Sequence, residues 1–209
     1  MDDNMKHAKI RVWLPVLMYC AFASIINSII TYFPFIPASL TTWISRCIML
    51  AVTICMFQLA PVHDRYQKAG IFRAIMLACN LITAFIAGSM ILTLTASIVS
   101  IIAVYQEYSA HAEVITEKDS KLGRAWHSLF NWSILAAVIL SLGATIVAVI
   151  LVKNDLGAGA SRISAIAIGL LSIPQCVIEV LYIRYIKKML VLYSESEVLQ
   201  NIPQYPDRT

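Results

Sequence analysis

A polytopic bundle of membrane-spanning α-helices is the fold class this sequence predicts, and three observations predict it. The first is composition: 59% of the 209 residues are hydrophobic and 13% are charged, with mean hydropathy +0.76, more apolar surface than one soluble core needs. The second is the recurrence of apolar segments of about 20 residues, the length of a helix that crosses a hydrocarbon core about 30 Å thick. The third is a run of thirty-three residues, 74–106, without one Asp, Glu, Lys or Arg. β-Barrel strands are short and alternate polar with apolar residues, which these segments do not. Helices satisfy their own backbone and fit.

The first span covers residues 12–31. Lys6, Lys9 and Arg11 precede it, and Ala21-Phe22-Ala23 imitates a signal-peptide cleavage site. The apolar stretch runs on to Ile30, longer than the apolar region of a signal, so a retained span is expected. An uncharged outer loop, 33–42, with Pro34 and Pro37, is expected to lie against the membrane surface. The second span covers 43–62. The long run that follows is too long for one crossing, since a single helix of that length would measure about 50 Å. Gly88-Ser89 is its one turn signal, so it reads as a hairpin of spans 70–87 and 90–108. Snorkelling of Arg73 and extension to Tyr108 bring both halves to a workable length. Spans 128–152 and 163–186 complete the set, joined by a Gly- and Ala-rich connector, 153–162. Residues 1–188 thus form a single transmembrane helical domain, and 189–209 an interfacial to disordered tail.

Loop charge sets the topology. With six spans and a cytoplasmic N-terminus, the inner side holds Lys6, Lys9, Arg11, Arg65, Lys68, Arg73, Lys118, Lys121, Arg124, Arg184, Lys187, Lys188 and Arg208. The outer side holds only Arg46, Lys153 and Arg162. The five-span alternative, with one overlong helix, divides the sixteen basic residues equally. Four spans plus a re-entrant hairpin keep the exit side of the six-span reading and require protein to bury the turn. Both termini are expected in the cytoplasm of a bacterial cell, with the basic side on the anionic inner leaflet of the plasma (inner) membrane. Trp13, Trp43, Tyr105, Tyr108, Trp126, Trp132, Tyr182 and Tyr185 fall near span ends, where amphipathic rings suit the headgroup region.

Polar chemistry gathers on the inner side. The loop 107–126 begins with Glu107 and His111, at i, i+4 on one face of a helical extension. With Glu113 and His127 they form the one visible cluster for an interfacial enzyme. As metal ligands Glu107 and His111 are weak, because a transition metal needs three or four converging ligands. His7 and His63 fall on the same side. Asp119 or Ser120 is expected to cap a helix with Leu122, Trp126 and Leu129 at helical spacing, lying at the interface before turning into the fifth span. Apart from Glu107 at the very end of span 90–108, Glu179 is the one acidic residue inside a predicted span, and an ionisable residue there is a functional candidate by default. Its bland alternative is a boundary ion pair with Arg184 or Lys187. Pro174 is expected to kink that helix and free a carbonyl near Gln175. Asn27, Gln58, Asn80 and Thr83 are expected to hydrogen-bond between helices.

Other motifs narrow the field. Cys20, Cys47, Cys55, Cys79 and Cys176 lie in apolar segments without paired spacing, which suggests neither a disulfide framework nor a zinc site. No Walker loop, dinucleotide glycine fingerprint, nucleophile motif or HExxH occurs, and no cofactor or nucleic-acid partner is expected. Arg65-Tyr66-Gln67-Lys68 resembles Arg184-Tyr185-Ile186-Lys187, but the preference of basic and aromatic residues for inner boundaries explains the match without duplication. Three function classes follow. First in rank is a non-catalytic membrane component that binds lipid, a partner protein or a second copy of itself, which suits the scarcity of charge inside the spans. A small-molecule transporter or channel, or a subunit of one, would use Glu179, Gln175 and the Pro174 region. Last comes an interfacial enzyme built on Glu107 and His111, more consistent with no catalysis than with any assigned catalytic residue.

Overall fold

The computed structural model describes residues 3–31, 35–85, 89–153 and 169–200. Six long helices follow one another among them, with no strand: α1 (Asp3–Ile30), α2 (Ala38–Leu59), α3 (Asp64–Phe85), α4 (Met90–Thr116), α5 (Ser120–Lys153) and α6 (Ile173–Gln200). Helical periodicity decides which faces turn inward. Ile10, Leu14 and Leu17 of α1, Leu122, Trp126 and Leu129 of α5, and Ile178, Tyr182, Ile186, Met189 and Tyr193 of α6 recur at steps of three and four and are buried. The outer faces are apolar too, with Phe22 and Ile26, Ile91, Leu94 and Ile98, and Leu142 and Ile146 exposed. A bundle that is apolar outside as well as inside has a surface that suits lipid. Among the described residues, α1, α2, α4, α5 and α6 are long and apolar enough to cross a membrane by length and composition. Helix α3 is the exception, because Asp64, Arg65, Lys68 and Arg73 occupy its first half.

Each helix packs against its neighbours in sequence, and α6 packs against α1, which closes a ring. Every adjacent pair is antiparallel. Asn27 of α1 donates to the Thr41 carbonyl of α2 at 3.1 Å. Across α2 and α3, Arg46 donates to the Asn80 carbonyl at 3.1 Å at one end, while Gly70 meets the Phe57 ring at the other. Helices α3 and α4 pair Arg65 with Glu113, Tyr66 with His111 and Arg73 with Glu107. Between α5 and α6, Trp126 faces Tyr185 and Gly143 faces Leu171, so closely that an added Cβ at Gly143 would lie 2.5 Å from the leucine. His7 of α1 meets Tyr193 of α6 with ring centroids 5.1 Å apart, so the start of the first helix and the far part of the last share one end of the bundle.

The uncharged run 74–106 is therefore two antiparallel helices and not one overlong helix. Gly88 lies outside the described residues. Ser89, beside it, caps α4 by accepting from the Leu92 amide at 3.4 Å. Elsewhere the helices exceed expectation. The loop expected at 33–42 is shorter, because α2 begins at Ala38 directly after Pro37, whose extended backbone forms the N-cap. No break separates an interfacial helix from the fifth span: α5 is one helix of 34 residues, started by Asp119, whose Oδ1 accepts from the amides of Lys121 at 2.9 Å and Leu122 at 3.0 Å. Gly123 lets this start pass close to the end of α4, where an added Cβ would lie 3.2 Å from the Ala112 carbonyl oxygen. Pro174 is the second residue of α6, where a missing N–H costs nothing, and it directly follows a turn at Ser172 that interrupts the helical stretch of residues 169–171. Helix α6 continues through the first part of the expected tail to Gln200. The connector 154–162, the start of the sixth span at 163–168 and the tail end 201–209 lie outside the described residues.

Candidate functional site

Two residues place Glu107 and His111 in the interior. Ala103 and Ala110 on the same stretch of α4 are small and fully buried, so α4 approaches its neighbours closely and carries its polar face with it. Glu107 is 2% exposed and His111 0%. Arg73 of α3 donates to Glu107 Oε2 through Nε at 3.0 Å and through Nη2. Tyr182 of α6 donates its hydroxyl to Glu107 Oε1 at 2.6 Å. Tyr66 Oη stands 2.8 Å from His111 Nδ1, and Tyr182 Oη stands 3.5 Å from His111 Nε2. One proton assignment satisfies the whole chain: Tyr66 donates to Nδ1, Nε2–H donates to Tyr182, and Tyr182 donates to Glu107. The His111 ring lies over the Trp126 indole, with centroids 4.5 Å apart.

This network spans three helices and uses every ligating atom of the Glu107 and His111 pair. Glu107 Oε1 and His111 Nε2 are 4.0 Å apart with the Tyr182 hydroxyl between them, and no group of three or more metal-ligating side chains converges among the described residues. Glu113 belongs to a separate, solvent-reaching group. It accepts from Arg65 Nε at 2.8 Å and meets His63 Nε2 at 3.0 Å, and the Arg65 guanidinium reaches on to Gln106 at 3.3 Å. That pairing with Glu113 holds Arg65 above its ordinary pKa, and the Lys68 ammonium beside Asp64 holds the carboxyl below the usual carboxylate range. His127 is exposed on α5 and joins neither group.

An open cavity of about 260 Å³ lies beside the Arg73–Glu107 pair, lined by residues of α1, α2, α3, α4 and α6. Glu179 and Gln175 form its α6 wall. Glu179 faces inward instead of towards Arg184 or Lys187, both of which are exposed. Ser24 of α1 donates to Glu179 Oε1 at 3.4 Å, and Gln175 stands beside the same carboxyl. Glu179 Oε2 is buried and has no hydrogen-bond partner. A second space of about 430 Å³ lies towards the opposite end of the bundle from His7, among Asn27, Thr41, Arg46, Asn80 and Thr83. The two share Ser45 and Met49 of α2 as a common wall. Of the polar side chains expected to bond between helices, Asn27 and Asn80 do so, Thr83 bonds within its own helix, and Gln58 is exposed.

Sequence reasoning missed Arg73, Tyr66, Tyr182 and Trp126 as partners. Arg73 was expected to snorkel outward, and Tyr108, Trp126 and Tyr182 to sit at headgroups. All three rings are buried in the bundle instead, because α4 and α5 continue past the span ends and carry the packed core with them. The signal for Arg73 was available, since it and Glu107 bound the uncharged run on either side, and folding the run in half brings its ends together. Residues Cys20 and Cys55, far apart in sequence, also meet, with the thiols in hydrogen-bond contact. All of the cysteines are free. The fold is an all-helical bundle with a polar centre, and five of its helices are long and apolar enough to cross a membrane. The chain matches no protein family, no curated protein and no solved structure.

Proposed function

We propose that this chain is a small-solute transporter whose binding site is the central cavity, and that it crosses the plasma membrane six times with both termini in the cytoplasm. One observation carries the reading: Glu179 faces an open cleft between the helices, beside the Arg73–Glu107 pair, with one carboxylate oxygen unpartnered. Charged groups at this depth are costly and are kept where they bind or move a solute. The leading reason for a lipid- or partner-binding scaffold was the scarcity of interior charge, and three charged side chains lining one cavity remove it. The shared wall at Ser45 and Met49 separates that cavity from the outer polar space, as expected of a route closed at one point.

The six crossings rest on α3. It runs beside α2 from Phe57 at one end to Arg46 near the other, so it reaches the same height as a full span. The end of the bundle that holds His7 and Tyr193 also holds Lys6, Arg65, Lys68, Lys118, Lys121 and Lys187, which suits the anionic inner leaflet. In a cysteine-free background, Ser120→Cys and Ser194→Cys are expected to react with a membrane-impermeant maleimide only from the cytoplasmic side. Labelling of either from outside would overturn the topology.

The transport reading is tested in proteoliposomes with a panel of small labelled amines, carboxylates and neutral amides. Uptake of at least one class is expected to exceed that of empty liposomes and to fall at least about tenfold in Glu179→Gln, a loss of about 1.4 kcal/mol in transition-state stabilisation. Flux no greater than in empty liposomes for every class would sink the transporter.

A further inference from the structure

The lining of the central cavity also says which solute it takes. We infer that the cavity binds a small organic cation, an alkylammonium group seated on Glu179; the inference rests on reading this cavity as the solute site. Three charged side chains line the space, Arg73, Glu107 and Glu179. Arg73 and Glu107 are spent on each other, through two donor nitrogens on one carboxylate oxygen, and Tyr182 takes the other oxygen. That leaves one carboxyl, Glu179, with no cation beside it: the Ser24 hydroxyl stands 3.4 Å from its Oε1, Gln175 lies next to it, and its Oε2 has no hydrogen-bond partner. The net formal charge of the lining is therefore negative by one.

Each other solute class fits worse. An anion would meet the Glu179 carboxylate, and the guanidinium that would attract it is already neutralised by Glu107. A neutral solute without a donor leaves Oε2 buried and unpaired, which costs about 1 to 3 kcal/mol for a polar group and more for a charged one. A bare metal ion needs a shell of about six oxygens. The wall near Glu179 supplies its own carboxyl, two serine hydroxyls and the Gln175 amide, and much of the remainder is apolar, including Leu17, Ile48 and Val52. An ammonium satisfies the carboxylate, and an alkyl chain fills that apolar side. The Tyr108 ring, also in the wall, presents a surface that attracts cations. The space, about 260 Å³, is of a size that suits a small organic solute.

The test is calorimetric titration of the purified full-length protein in detergent with three probes of equal chain length: n-butylammonium, butyrate and n-butanol. Saturable binding of n-butylammonium alone is expected. Glu179→Gln should weaken it at least about tenfold, Glu179→Asp should restore part of the loss by returning the charge, and Glu113→Gln, on the solvent-reaching group, should leave it unchanged. Folding of each variant is checked by its unfolding transition, and the aspartate variant keeps the test decisive if the glutamine variant does not fold. Binding of butyrate or butanol in place of n-butylammonium, absence of saturable binding by all three, or equal n-butylammonium affinity in the folded Glu179→Gln and Glu179→Asp variants would overturn the cation assignment. Glu179-dependent flux of a carboxylate or amide would keep the transporter and reject the cation. Glu179-dependent n-butylammonium binding without flux of any class would do the reverse.

Discussion

Replacing Arg73 with methionine is expected to destabilise the folded bundle by about 3 to 5 kcal/mol, the cost typical of leaving one partner of a buried ion pair uncompensated. Methionine fills most of the space, so the loss is electrostatic. The Glu107 carboxylate, 2% exposed, keeps only the Tyr182 hydroxyl. Removing both charges in Arg73→Met/Glu107→Gln is expected to recover much of the loss, because the glutamine carbonyl can still accept from Tyr182 and no ion remains buried alone. The two variants are compared by detergent-denaturant titration in mixed micelles, following tryptophan fluorescence. A loss below about 1 kcal/mol in the single variant would mean that the pair behaves as a solvated one.

Truncating Trp126 to alanine carries a cost of similar size, about 3 to 5 kcal/mol, for a different reason. In lipid the apolar effect gives helices little reason to associate, so interior packing and polar contacts hold the bundle together. Trp126 is the hub of that packing. Its ring lies 4.5 Å from His111, 5.4 Å from Tyr182 and 5.5 Å from both Tyr108 and Tyr185, joining α4, α5 and α6. Alanine empties that junction and releases His111 from the face it rests on. Phenylalanine should cost much less, about 1.5 kcal/mol or under, since it keeps an aromatic ring and removes an indole N–H that is buried without a partner. Denaturant unfolding of both variants distinguishes the two cases. Equal losses would mean that the junction needs the full indole and that a smaller aromatic ring cannot hold it.

The helices were readable from the sequence because lipid imposes length and apolarity, which are local properties. The division of the uncharged run into α3 and α4 was readable because the run is too long for one crossing. What the sequence hides is which side of a helix looks inward when both sides are apolar. Tyr108, Trp126 and Tyr182 obey the rule for interfacial rings by position, yet their partners lie on other helices, so a one-dimensional rule sends them to the headgroups. Glu107 and His111 stood out because a spacing of four residues is a local signal. Tyr66 and Tyr182, which complete their hydrogen bonds, come from 45 and 71 residues away from His111 and leave no such trace. Glu179 was identified as an ionisable residue at depth, but the choice between an ion pair with Arg184 and a cavity wall depends on the rotation of α6, which only packing against α1 decides.

The closed ring of helices has a consequence for how the protein is made. Five of its interfaces join consecutive helices and can form as each hairpin enters the membrane, whereas the sixth joins the last helix to the first. The Arg73–Glu107 pair belongs to the α3–α4 hairpin and is available early, neutralising two charges before the rest of the bundle exists. Tyr182, Gln175 and Glu179 all arrive on α6. The central cavity takes one wall from α6, so its lining is complete only when the last helix is in place. Its last wall is also the seam at which the last helix meets the first.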